Sequence, residues 1–271
     1  MAKKNLNEMS FLDHLEELRW LLVRSTVAIL ILATVTFFIS DYIFDVIIFG
    51  PTDPNFITYR AFCDLSHYLG FADSICVTEM AFIIQNTNME GQINVLIWTC
   101  ITAGFILGFP FVLWEIWKFI SPALYETEKK HAKLFVITSS LLFFMGVLFG
   151  YFVIVPMSMN FFATFTISDV VKNQFSVDSY IGMVKTSVIA CGLFFELPII
   201  IYFLTKLGLV TPEFLRKYWK YAVVIILIVA AIVTPPDVVS QIIVTIPMLL
   251  IYEASILISK IVVKNQKKVN G

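Results

Sequence analysis

Charge is scarce in this 271-residue sequence. Asp, Glu, Lys and Arg together make up 14% of it, against about 25% in an ordinary soluble domain. Low-complexity tracts and internal repeats are absent, which excludes disordered, collagen-like and solenoid chains. Only four cysteines are present, too few for a disulfide-built miniprotein. The formal net charge is −1, so no basic field points to nucleic acid. Catalytic signatures are missing as well: there is no HExxH, CxxC, Walker A or GxSxG with triad partners. His14, His67 and His131 are scattered along the chain. We therefore expect no enzyme activity, no cofactor and no metal.

What is present is apolar. Hydrophobic residues reach 59%, the mean hydropathy is +0.86, and Phe alone occurs 26 times. A water-soluble globule of this size could not hide that surface. The hydrocarbon core of a bilayer is about 30 Å thick and takes about 20 helical residues to cross. Six segments are candidates: Trp20–Ser40, Ile93–Trp114, Leu134–Val155, Thr186–Thr205, Tyr221–Thr234 and Val238–Ser259. No alternating pattern of a membrane barrel occurs. The expected fold is an all-α, six-span membrane protein forming one domain over 1–271. Its fifth span has only 14 residues and is joined to the sixth through Pro235, Pro236 and Asp237.

Orientation follows from the cations. Sixteen of the 19 Lys and Arg residues fall in the N-tail, the segments between spans two and three and between four and five, and the C-tail. The other side holds Arg60, Lys172 and Lys185. That bias places both termini in the cytoplasm. Lys3 and Lys4 precede a polar, acidic stretch and then a full span, so no cleavable signal peptide is expected. A bacterial inner membrane fits best. The first outer loop, 41–92, is long enough to need internal structure. We expect a small cap of short helices or a hairpin, with Pro51 as a structural residue. Cys63 and Cys76 lie in this loop, where an oxidising compartment permits a disulfide; two unpaired thiols are the alternative.

Individual polar residues then stand out. Ser10 and Asp13 can cap a helix whose Phe11, Leu15, Leu18 and Leu22 share one face. Glu16, Glu17 and Arg19 read most simply as its solvated side. Glu196 lies inside span four beside Pro198, where a carboxylate is costly and so a functional candidate; the proline should kink the helix. Gln241 in span six is a weaker case of the same kind. Glu253, seven residues from Lys260, can snorkel to the interface.

Four motifs carry a resemblance. His14-Leu15-Glu16-Glu17-Leu18-Arg19 resembles the N-terminal signature of the TatC family. Phe119-Ile120-Ser121-Pro122-Ala123-Leu124-Tyr125, with Glu128, resembles its first cytoplasmic loop. Phe195-Glu196-Leu197-Pro198 matches its span-four motif, and Thr234-Pro235-Pro236-Asp237 with Ser240 and Gln241 matches its last outer turn. Order and spacing agree from about residue 10 to 260. The resemblance implies the core receptor of the twin-arginine translocase, which exports folded proteins using the proton-motive force. It implies that Glu17 and Glu128 receive the two arginines of a signal peptide, with Arg19, Phe119, Pro122, Leu124 and Tyr125 shaping that surface. It implies that Glu196, Thr234 and Gln241 face partners, namely single-span TatA/TatB-type subunits, with other copies of the chain and the lipid bilayer as further partners. Two features depart from the family pattern: the expanded 53–90 region, and Glu115, where relatives often have an uncharged amide. An ion carrier using Glu196 and a scaffold that reads no cargo are the competing classes.

Overall fold

The computed structural model describes residues 11–68, 76, 82–121, 132–168, 170–234 and 238–270. Five helices among them are long and apolar enough to cross a membrane: His14–Phe38, Gly91–Ile120, Lys133–Thr164, Val177–Lys206 and Ser240–Gln266. A sixth, Trp219–Val233, is shorter. The all-α membrane fold expected from composition is therefore the observed one. The helices reach further than the apolar runs do. The fourth begins at Val177 rather than Thr186, because Ser176 caps it: its hydroxyl accepts from the Ser179 N–H at 3.2 Å. Hydropathy misses that turn, since Asp178, Ser179 and Lys185 dilute it.

The chain divides into two units, one made of 1–43 and 93–141, the other of 44–92 and 142–271. In the first unit, α1 (Phe11–Phe38) packs on α2 (Gly91–Ile120). The approach needs a glycine: a Cβ on Gly104 would meet the Ala33 nitrogen and the Ile29 oxygen at 2.7 Å. Beside it the buried Thr36 hydroxyl lies 2.8 Å from the Ala33 carbonyl and 3.2 Å from that of Cys100. Small residues let membrane helices pack at van der Waals distance where no hydrophobic effect drives them together.

The second unit holds a cap within 44–92, the rest of span three from 142, and the later spans. The cap contains a π-helical segment (Ile43–Ile48 in its full extent), a 3-10 turn at Gly50–Thr52 and α3 (Ile57–Tyr68). Among the described residues, its strand β1 (Ile83–Gln85) has no partner strand within the loop. It pairs in parallel with β2 (Gln174–Ser176) from the segment after span three, Ile83 opposite Gln174. Three-residue strands paired across such a separation leave no periodic signal.

Span three is α4 (Ala132–Phe149), a π-helical stretch Gly150–Ile154, and α5 (Val155–Thr164). Pro156 has no N–H to offer the Phe152 carbonyl. Thr58 of α3 supplies the donor instead, at 2.6 Å. Tyr59 donates toward the carbonyls of Pro51 (2.9 Å) and Pro156 (3.2 Å), and burial pushes its phenol well above the usual tyrosine range. Tyr151 and Tyr180 donate to Ile47 and Ile48, each at 2.6 Å. Tyr151 and Tyr180 thus satisfy carbonyls of the irregular 43–48 segment, while Thr58 and Tyr59 of α3 satisfy carbonyls of span three.

The rest of this unit is α6 (Val177–Phe195), α7 (Leu197–Lys206), α8 (Pro212–Lys217), α9 (Trp219–Val233) and α10 (Val238–Asn270). Gly146 and Gly150 face α6 so closely that a Cβ on either would strike the backbone of Cys191 or Ser187. A buried core of Ile201, Ile226, Ala230, Val244, Met248 and Ile256 joins α7, α9 and α10. Within it the Thr205 and Ser259 hydroxyls pair at 2.9 Å.

Candidate functional site

In the first unit, the start of α1 meets the end of α2. The His14 ring stacks on Phe119 with centroids 4.3 Å apart and planes 22° from parallel. Glu17 lies one turn further along α1 from His14, so it shares that side of the helix. Glu17 is half-buried and Arg19 exposed. The motifs around Glu17 and Phe119, 102 positions apart in sequence, are therefore brought together. Pro122, Leu124, Tyr125 and Glu128 lie outside the described residues.

The residue that sequence reasoning left out of the site is Glu115. It is only 3% exposed, with Arg24 at 3.2 Å on one oxygen and Lys118 on the other. Arg24 also sits 6.0 Å over Trp20, and Lys118 5.8 Å over Trp114. A buried carboxylate without cations costs several kcal/mol; here two half-exposed cations offset it. Its departure from the family amide was the available signal.

In the second unit, Glu196 is buried at 6% exposure, at the break between α6 and α7. Its carbonyl accepts from Ile199 and Ile200 at 3.0 Å, which starts the new helix. Pro198 occupies the first turn of α7, where a missing N–H costs nothing. The helix breaks here as the sequence suggests. With the helix starting at Val177, Glu196 lies 19 residues from one end of Val177–Lys206 and 10 from the other. Thr234 is buried, and its hydroxyl donates to Ala230 at 2.9 Å. The Gln241 amide is 3.4 Å from the Leu227 carbonyl, tying α10 to α9. Pro235, Pro236 and Asp237 lie outside the described residues. Glu253 accepts from the Trp219 indole at 2.7 Å.

Pro51 is buried in its 3-10 turn. Cys63 and Cys76 form a disulfide. With His67 they would make a three-ligand metal cluster, but the S–S bond occupies both sulfurs. Cys100 and Cys191 are buried free thiols.

A family model described as Sec-independent protein translocase protein (TatC) matches residues 13–247. The chain belongs to the TatC family. It is 42% identical to the TatC protein of Blattabacterium sp. subsp. Periplaneta americana (strain BPLAN), over 97% of this chain and 100% of that one. It is 34% identical to TatC of Aquifex aeolicus (strain VF5), over 96% and 99%. A crystal structure of the twin arginine translocase receptor TatC superposes with a TM-score of 0.69 at 33% identity, covering 92% of this chain and 99% of that one. A second, in DDM, gives 0.71. This TatC-family chain is thus a multi-pass inner-membrane subunit of the Sec-independent protein translocase, a transport component.

Proposed function

We propose that this chain is the subunit that reads twin-arginine signal peptides, with both termini and the Glu17 surface in the cytoplasm. The 16-to-3 distribution of Lys and Arg supports that orientation. The observation that carries the reading is the His14–Phe119 stack, which gathers two separated motifs at one end of α1 and α2. Glu17 and Glu128 accept the paired guanidiniums. Carboxylates suit this task because a guanidinium can bond them bidentately, and Lys in the peptide could not replace that geometry. Arg19, Phe119, Pro122, Leu124 and Tyr125 form the rim. Glu196, Thr234 and Gln241 serve single-span TatA/TatB-type subunits and further copies of the chain, in an export complex driven by the proton-motive force. Polar pairs between membrane helices contribute about 0.6–2 kcal/mol each.

The test is photocrosslinking of a twin-arginine signal peptide to the 122–130 segment in membranes. Crosslinks that disappear when the two arginines become lysines support the reading. Equal crosslinking of both peptides overturns it.

A further inference from the structure

Helix α3 carries Cys63 and His67 four residues apart, so both stand on one face of it. Cys76 returns to that face and closes the disulfide with Cys63. The His67 Nε2 lies 3.8 Å from the Cys76 sulfur. The three donor atoms all fall within 4.8 Å of one another, and no other such trio of His, Cys, Asp or Glu occurs among the described residues.

The support beneath the trio is fixed. At the start of α3, Thr58 donates to the Phe152 carbonyl, and Tyr59 reaches those of Pro51 and Pro156. Two of the three donors therefore ride on a helix anchored to span three. The cysteines are half-buried and His67 is exposed, so the cluster can be reached from outside.

The imidazole is the feature that a disulfide does not explain. A bond between two sulfurs needs no third donor. Two thiolates and an imidazole are a donor set that tetrahedral zinc prefers, whereas Mg²⁺ and Ca²⁺ take oxygen ligands. Zn–S bonds of about 2.3 Å and a Zn–N bond of about 2.0 Å set sulfur and nitrogen about 3.5 Å apart, and two sulfurs about 3.8 Å apart. The His67–Cys76 separation is already within a few tenths of an ångström of the first value. Opening the disulfide frees the sulfurs to take the second.

We propose that Cys63, His67 and Cys76 form a redox-gated zinc site. While the disulfide is closed, the sulfurs bind each other and the site is shut. A dithiol reductant opens it by thiol–disulfide exchange: its two thiols become a disulfide, and their two electrons and two protons pass to Cys63 and Cys76. Zn²⁺ then displaces those protons, taking both thiolates and the His67 Nε2, with water in the fourth position. The metal ties residue 76 to α3 as the disulfide did, so the cap stays crosslinked in both states. The site is independent of signal-peptide reading.

The test uses the full chain in detergent, reduced with a phosphine, desalted without oxygen and titrated with Co²⁺ as a spectroscopic probe. One equivalent should bind, with thiolate-to-cobalt charge transfer and the visible bands of a tetrahedral site, and Zn²⁺ should bleach both. The oxidised chain should stay colourless. Cys63→Ser should lose the charge-transfer band. His67→Ala should lower the affinity by at least about tenfold, a loss typical even of changes outside the ligand set, and His67→Cys should restore tight binding. Bound Zn²⁺ should shield Cys63 and Cys76 from alkylation, read by peptide mass spectrometry. A reduced chain that gives no tetrahedral spectrum overturns the proposal. So does equal affinity in His67→Ala, or a spectrum that survives Cys63→Ser and so belongs to Cys100 or Cys191.

Discussion

Glu17 and Glu115 belong to the same unit of the same protein, yet their surroundings are opposite. Glu115 is enclosed and neutralised by Arg24 and Lys118. Glu17 is half-buried, and among the described residues no ion pair engages it. The first arrangement holds two helices in place; the second leaves a carboxylate to meet an incoming cation. If Glu17 reads cargo as proposed, the difference teaches that such an acid is marked less by its charge than by what the protein withholds from it.

The largest effect should come from stranding the enclosed acid. Arg24→Ala with Lys118→Ala leaves Glu115 buried without a cation, at a cost of about 3–5 kcal/mol. Thermal unfolding in detergent should show it, and adding Glu115→Leu should restore most of the loss. If the double variant melts normally, the pair does not hold α1 against α2.

Next in size is the open acid. Glu17→Ala together with Glu128→Ala should lower twin-arginine peptide affinity by roughly 1.5–3 kcal/mol per charged bond removed, with melting unchanged. Glu17→Lys should be worse, since repulsion adds to lost pairing. Unchanged peptide affinity in the double alanine variant removes Glu17 from the comparison.

The outer cap offers a covalent counterpart to the charge clamp. Cys63→Ser should cost about 3 kcal/mol of local stability, as expected for opening a loop of this length. Faster proteolysis of the 57–90 region would report it, while peptide affinity stays as it was. Smallest of all is Glu115→Gln. The amide still accepts from Arg24, so we expect about 1 kcal/mol or less in melting and no change in peptide binding. A large binding defect in that variant would make Glu115 a recognition residue and erase the contrast with Glu17.

Particular elements show why some of this was legible in the sequence. The five long spans follow from runs of apolar residues that only a bilayer tolerates, and the helix break at Glu196 follows from Pro198. The ends of helices were less visible. Val177–Lys185 is helical because Ser176 caps it and α6 packs on Gly150, neither of which hydropathy records. The β1–β2 pairing joins residues 91 positions apart, Gln85 facing Ser176 at its end, through strands too short to show a period. Of the site, Glu17 and Phe119 could be named from their motifs, but their meeting through His14 could not. Glu115 looked like a departure from a family pattern and nothing more.

The sequence by itself determined the solvent and the number of crossings. Apolar content is a bulk property, and transfer free energy sums along a segment whatever its neighbours do. It also determined the family, because four short motifs keep their order. Only the tertiary structure decided which polar groups are engaged. It gave Glu115 two cations, sent the Trp219 indole to Glu253, and let Thr58 replace the donor that Pro156 lacks. The reason is geometric: a hydrogen bond or ion pair acts over about 3 Å, and no separation along a chain fixes a distance of that size between helices.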